Sequence, residues 1–140
     1  MRVVIYAVLL IGVMLLAIFF LGERNRAQKS GESAYHKITA EEAKKKMQDT
    51  ANFILLDVRT PEEFSEQHIP GATLIVDSQI SAEAQKKLPD KDTPIFVYCR
   101  SGRRSTAAAK QLVNMGYTQV YDFGGIIDWP YETVGGSEQQ

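Results

Sequence analysis

The chain has 140 residues, with 16 lysines and arginines against 17 aspartates and glutamates, so its formal net charge at pH 7 is −1. This length allows one domain of ordinary size and a short additional segment. Acidic residues outnumber basic ones beyond Tyr35, which argues against a nucleic-acid partner, since such partners usually require a basic surface. The single cysteine excludes an intrachain disulfide and a Cys-x-x-Cys site, and the two histidines argue against a His-rich metal site. We expect no metal and no cofactor.

The first segment of the chain, Val3–Leu21, contains no charged residue and no proline. As a helix it would extend about 28 Å, close to the hydrocarbon thickness of a bilayer. We predict an uncleaved single-pass transmembrane helix as a membrane anchor over residues 1–22, followed by a polar, flexible tether over residues 23–34. A cleaved signal peptide is the alternative, although the apolar run is longer than usual and no Ala-x-Ala site follows it.

The orientation of this predicted anchor depends on the flanking basic residues, which tend to stay in the cytoplasm. Arg2 precedes the apolar run, and four basic residues follow it within reach: Arg24, Arg26, Lys29 and Lys37. This asymmetry slightly favours a cytoplasmic-facing domain over an extracytoplasmic one.

Short apolar runs alternate with helical patterns after the tether. Thr39 followed by Glu42 forms a capping-box pattern, and Thr60 followed by Pro61 places a cap before a proline at the first helical position. Gly116 is suited to end the longest helix. In chain order we predict a strand at Tyr35–Ile38, a helix at Ala40–Gln48, a strand at Phe53–Val58, a helix from Pro61 to about Gln67, a strand at Thr73–Val76, a helix at Ala82–Leu88, a strand at Pro94–Cys99, a helix at Arg103–Met115 and a strand at Gln119–Tyr121.

Strands separated by helices at this spacing predict an α/β fold with a parallel sheet covered by helices on both faces. In such sheets, ligands bind beyond the carboxyl ends of the strands. Cys99 lies at such an end, with a glycine-containing loop and the start of a helix directly after it.

The surroundings of Cys99 favour a reactive thiolate over a buried packing residue, which is the usual role of a lone cysteine at a strand end. Basic side chains and the positive end of the following helix dipole lower a thiol's pKa, and backbone N–H groups curled around a glycine can bind an anion. We predict Cys99 as the nucleophile and the next six residues as the substrate-binding loop: Arg100, Ser101, Gly102, Arg103, Arg104 and Ser105.

This loop resembles the active-site loop of the rhodanese-like sulfurtransferases. The segment Leu56–Phe64 resembles the family's D-V-R-x-x-x-E-[FY] signature, and His68–Ala72 resembles its G-H-I-P-G-A turn, with Gln67 where glycine is usual. The segments Met115–Tyr117 and Gly124–Trp129 are similar to its closing motifs. The resemblance predicts a rhodanese-like domain over residues 35–134 and a C-terminal tail over residues 135–140.

The resemblance implies a rhodanese-like five-stranded parallel sheet flanked by helices, and a ping-pong reaction through a persulfide on Cys99. A small sulfur donor such as thiosulfate would supply sulfane sulfur, and cyanide, a thiol or a protein acceptor would remove it. Arg104 matches the family's loop arginine and is expected to bind the substrate anion and to fix the loop, whereas Arg100 and Arg103 tune substrate choice. Asp57 and Arg59 are expected to be structural, holding loops near the site by ion pairing.

Two other functions compete with this one. A cysteine-based phosphatase or arsenate reductase needs five residues between cysteine and arginine, and only four separate Cys99 from Arg104. The domain could also be a membrane-tethered persulfide carrier or binding module without significant free turnover, since a tether raises the effective concentration near membrane partners. The sequence carries no signal for the oligomeric state.

Overall fold

A computed structural model of the chain describes Met1, Tyr6, residues 10–19 and residues 34–136. The chain divides into two units, Met1–Glu32 and Ser33–Gln140. Residues 10–19 are helical, and among the described residues no helix has both the length and the hydropathy that a membrane span requires. The rest of the predicted anchor, nearly all of the predicted tether and residues 137–140 of the predicted tail lie outside the described residues.

The second unit is an α/β domain whose described strands form one sheet. The strands run in the spatial order β1-β5-β4-β2-β3, and every neighbouring pair is parallel. The prediction of five parallel strands flanked by helices is confirmed. In chain order the elements are β1 at Tyr35–Lys37, α1 at Ala40–Asp49, β2 at Ile54–Asp57, α2 at Pro61–Glu66, β3 at Thr73–Leu74, α3 at Ile80–Lys87, β4 at Ile95–Cys99, α4 at Arg103–Asn114 and β5 at Val120–Gly125, with short 3-10 helices at Asp77–Gln79 and Ile126–Asp128.

Both predicted N-terminal caps form. The Thr39 hydroxyl accepts the backbone N–H of Glu42 at 3.1 Å, while the Glu42 carboxylate accepts the backbone N–H of Thr39 at 2.8 Å. Thr60 and Glu63 make the same reciprocal pair at the start of α2. Each box satisfies two backbone N–H groups that the first turn of a helix leaves unpaired, which is why both helices begin where the sequence indicates.

Two strands end two or more residues away from their predicted ends, whereas the other predicted strand ends differ by at most one residue. Strand β3 ends at Leu74, because the chain turns into the 3-10 helix at Asp77–Gln79 and the backbone N–H of Asp77 bonds to the carbonyl of Val58. Strand β5 continues to Gly125, although an aspartate and two glycines are weak strand formers. It lies between β1 and β4, and pairing on both edges outweighs these local preferences.

The two faces of the sheet are covered by separate apolar clusters, because successive side chains of a strand point to opposite faces. In β4, Val97 and Cys99 pack against Ala108 and Leu112 of α4. Phe96 and Tyr98 face the other cluster, which contains residues such as Ala43, Phe123 and Trp129. The Cys99 thiol therefore emerges at the carboxyl end of the central strand, on the face covered by α4.

Candidate active site

Cys99 is the last residue of β4, and its side chain is almost completely buried, with 1% of the residue exposed. The loop after it turns back at Gly102, whose φ of +107° is a conformation that glycine adopts readily. This turn directs the backbone N–H of Gly102 at the sulfur, with 3.0 Å between the nitrogen and Sγ. The structure thus brings the loop amides around the one thiol of the chain.

The surroundings of the Cys99 thiol favour its ionised form. Burial raises the pKa of Cys99, but hydrogen bonds from the backbone N–H groups of Ser105, Gly102 and Ser101 and from the Ser105 side chain together outweigh burial, so the pKa is lowered overall. These donors belong to the loop and to the first turn of α4, where backbone N–H groups lack helical partners. The arrangement can hold a sulfur anion, and the thiolate is the nucleophilic form of cysteine.

Gly125 supports the loop from below. It lies opposite Cys99 in the register between β4 and β5. A Cβ atom at Gly125 would lie 2.2 Å from the carbonyl oxygen of Arg100 and 2.7 Å from Cα of Ser101, so only glycine fits at this close approach. The end of β5 therefore fixes the height of the loop above the sheet.

The three loop arginines have different surroundings. Arg104 makes a bidentate ion pair with Glu63 at the start of α2, with nitrogen–oxygen distances of 2.7 and 2.8 Å. Arg100 and Arg103 are exposed, and their guanidinium groups make no hydrogen bond or ion pair with the described residues. The ion pair of Arg104 thus links the start of α4 to the start of α2. The guanidinium groups of Arg100 and Arg103 are accessible to an anion from solution.

Glu63 gives a pH-dependent prediction. Hydrogen bonding from Arg104 lowers the pKa of Glu63 to about 2, so folding favours the ionised carboxylate. Such a group contributes stability above its unfolded pKa, near 4.5, and loses the contribution as the pH falls towards 2. We expect the stability difference between the native chain and Glu63→Gln to shrink over this window, measured by denaturant unfolding at several pH values. The exposed Glu66→Gln variant is the control, and a difference constant with pH would contradict the prediction.

Asp57 and Arg59 form a buried ion pair. Asp57 is fully buried and Arg59 is 4% exposed. The guanidinium Nη2 donates to Asp57 Oδ2 at 2.6 Å and also to the backbone carbonyl of Gln67, while the backbone N–H of Arg59 donates to Asp57 Oδ1. The pair joins the end of β2 to the segment after α2, and Arg59 lines the same cavity as Arg100 of the loop.

A polar cavity of about 700 Å³ opens next to the loop. Arg59, Glu63, Arg100 and the exposed Ile127 are among the residues that line it. Within the described residues, no group of three or more His, Cys, Asp and Glu side chains is arranged to hold a metal ion. The groups that this site presents near the cavity and the loop are the thiol, the loop amides and the arginines.

Asp122 is a residue near the site that was not predicted from the sequence. This aspartate of β5 is fully buried and accepts a hydrogen bond from the Ser105 hydroxyl at 2.7 Å and one from Lys37 Nζ at 2.9 Å. The sequence does place this carboxylate between Tyr121 and Phe123, in an otherwise apolar run. Because a carboxylate is costly to bury without partners, that position could have indicated a buried polar contact.

Comparison with protein families identifies residues 39–130 as a match to the Rhodanese-like domain. The chain is 38% identical over 73 residues to the thiosulfate sulfurtransferase PspE of Escherichia coli strain K12, covering 52% of this chain and 70% of that protein. It is 36% identical over 95 residues to a sulfurtransferase of Allochromatium vinosum, covering 67% of this chain and 87% of that protein.

A solved structure described as rhodanese with anions from E. coli is similar in fold. Its TM-score is 0.56 at 36% sequence identity, and the match covers 59% of this chain and 98% of that one.

Proposed function

Because this chain belongs to the rhodanese-like domain family, we propose that it is a sulfurtransferase that moves sulfane sulfur from a donor such as thiosulfate to a thiol or cyanide through a persulfide on Cys99. The sulfurtransferase relatives support sulfur transfer in general. The observation that carries the proposal for this chain is the buried Cys99 thiol, with the N–H of Gly102 3.0 Å from its sulfur.

The proposed reaction has two displacements at sulfur. The Cys99 thiolate attacks the outer sulfur of thiosulfate, the sulfur–sulfur bond of the donor breaks, and sulfite leaves with the electron pair. An acceptor nucleophile then attacks the outer sulfur of the persulfide, and the Cys99 thiolate leaves. Cyanide would yield thiocyanate, and a thiolate would yield a new persulfide. The loop amides stabilise the anion on Cys99 before and after each transfer.

Residues Arg100–Ser105 are the proposed substrate-binding loop. The exposed guanidinium groups of Arg100 and Arg103 would attract the donor anion, because neither has a partner among the described residues. The guanidinium of Arg104 is held by Glu63, so the structure favours loop fixing as its main contribution. Substrate-anion binding by Arg104 stays a prediction.

Replacing Arg100 or Arg103 by alanine is expected to raise KM for thiosulfate by roughly two- to fivefold with little change in kcat. An exposed ion pair is worth about 0.5–1 kcal/mol and is screened by salt. Steady-state kinetics at low and high ionic strength would measure the effect. Lys110→Ala removes an exposed charge from the same helix and is the control. Unchanged KM in both arginine variants would contradict this role.

Turnover of the full chain with thiosulfate and cyanide, followed as thiocyanate, tests the proposed activity. Rapid turnover supports the enzyme. Sulfur loading of Cys99 with negligible thiocyanate would support the persulfide carrier instead, and hydrolysis of p-nitrophenyl phosphate would support the phosphatase alternative.

Attachment to a membrane through residues 1–22, with the domain facing the cytoplasm, also stays a proposal. The apolar composition of Val3–Leu21 supports it. Protease protection in sealed membrane vesicles tests the orientation, because a domain inside the vesicle survives digestion until detergent is added.

A further inference from the structure

Asp122 is a fully buried carboxylate directly beneath the start of α4, and both of its oxygens are hydrogen bonded. Oδ1 faces the active-site loop, where it accepts the hydroxyl of Ser105 at 2.7 Å and the backbone N–H of Gly124 at 3.1 Å. These two contacts hold the first turn of α4 against the end of β5, next to the close approach of Gly125 to the loop.

The other oxygen, Oδ2, faces β1 and the next residue of α4. It accepts Lys37 Nζ at 2.9 Å, the Tyr35 hydroxyl at 3.1 Å and the Thr106 hydroxyl at 2.6 Å. Lys37 is the only cation in this set, and its side chain is 51% exposed. The ammonium of Lys37 balances the charge of the carboxylate, and the neutral donors satisfy its other acceptor sites. Asp122 therefore stays ionised, while the pair as a whole carries no net charge.

Ser105 connects Asp122 to the nucleophile. Its backbone N–H supports the Cys99 thiolate. Its hydroxyl has one hydrogen and four candidate acceptors: Asp122 Oδ1, the carbonyl oxygens of Gly102 and Gly124, and the sulfur of Cys99. Among the three oxygens, Asp122 Oδ1 is the nearest, at 2.7 Å, and the only ionised one. We assign that hydrogen to Asp122, so the sulfur is supported by backbone amides.

Two anions therefore lie under the same helix start when Cys99 is ionised. Like charges in one site disfavour the ionised form of both groups, and an opposite charge nearby favours it. Lys37 supplies that opposite charge from β1. Among the other charged groups, Arg104 of α4 interacts electrostatically with Cys99 and also with Glu63 of α2 and Asp77 of the 3-10 helix after β3. Arg100 and Arg103 are the exposed basic residues of the loop and of the first position of α4.

We propose that Asp122 is a positioning residue for Cys99 and that Lys37 is its counterion. Asp122 Oδ1 fixes the turn that presents the loop amides to the sulfur, and the ammonium of Lys37 allows an ionised carboxylate to lie there without suppressing the thiolate. This inference rests on Cys99 being the nucleophile of the proposed function, but it concerns the ionisation of the thiol rather than sulfur transfer.

The test is the pH dependence of Cys99 alkylation by iodoacetamide in the full chain, measured by intact mass. The chain has one cysteine, so every alkylation event reports on this thiol. The variants are Lys37→Met, Asp122→Asn and the two combined. Asparagine retains Oδ1 as an acceptor for Ser105 and Gly124 and removes the charge. Lys45→Met is the matched control, because Lys45 is an exposed lysine of α1 whose side chain makes no hydrogen bond or ion pair with the described residues.

We expect Lys37→Met to raise the alkylation midpoint by about one pH unit, because it leaves the carboxylate uncompensated beside the thiolate. Asp122→Asn should lower the midpoint, and the double variant should return it towards the native value. A merely structural role would change the stability of both variants, but it would not shift the alkylation midpoint in opposite directions.

Midpoints in Lys37→Met and Asp122→Asn that match the Lys45→Met control would overturn the proposal. Lys37→Met decides the question alone if Asp122→Asn does not fold. Failure of the proposed function has a different signature, since a chain that does not turn over thiosulfate would still show these shifts in alkylation.

Discussion

Replacing Cys99 by serine is expected to reduce thiocyanate formation on the order of 10³-fold or more, because it removes the only atom that can carry the transferred sulfur. Serine is close in volume to cysteine, so the packing at the end of β4 is nearly preserved. A hydroxyl remains protonated at neutral pH even among the loop amides, and it cannot form a persulfide. The effect is measured as kcat/KM for thiosulfate with cyanide as acceptor.

Thermal unfolding of Cys99→Ser is the control for folding, and its midpoint should lie close to that of the native chain. A correctly folded Cys99→Ser variant that retains turnover within about tenfold would contradict a nucleophilic role for this residue.

Replacing Asp57 by alanine is expected to destabilise the domain by about 3–5 kcal/mol, since it leaves the buried guanidinium of Arg59 without its carboxylate. Arg59 is held on one side by Asp57 and on the other by the carbonyl of Gln67, and its guanidinium lies 5.6 Å from the ring centroid of Tyr98. Neither of these neutral groups can replace an ionic partner. Denaturant unfolding of the full chain measures the loss.

A double variant separates the buried charge from the lost contacts. Removing both partners, as in Asp57→Ala with Arg59→Met, should be less destabilising than the sum of the single changes, because no uncompensated charge stays buried. Asp49→Ala, which removes an exposed aspartate at the end of α1, should have little effect. A loss below about 1 kcal/mol in Asp57→Ala would show that the pair is not structurally required.

The elements that depend on local chemistry were predicted from the sequence. The capping boxes at Thr39 and Thr60 involve residues three positions apart, so their side chains meet whenever a helix starts there. The unbroken apolar run before Cys99 indicated a buried strand, and the strand ends at Cys99 as predicted. Cys99, its loop and the following helix are contiguous, which is why their association was visible without a structure.

Contacts between distant segments could not be predicted in the same way. Arg104 and Glu63 are 41 residues apart, so the sequence alone does not reveal that the loop arginine is already paired. Asp122 accepts from Lys37, which is 85 residues away, and a lone carboxylate in an apolar run indicates only that some partner must exist. The packing of Gly125 beneath Arg100 likewise depends on the register of β4 against β5.

The mass of the full chain after treatment with thiosulfate is the most direct test of the central claim, that sulfur is carried on Cys99. We expect a gain equal to one sulfur atom, located on the peptide that contains Cys99 and removed again by cyanide with formation of an equal amount of thiocyanate. The account would be contradicted if the chain turned over thiosulfate and cyanide to thiocyanate, yet gained no sulfur on Cys99 when it was treated with thiosulfate alone.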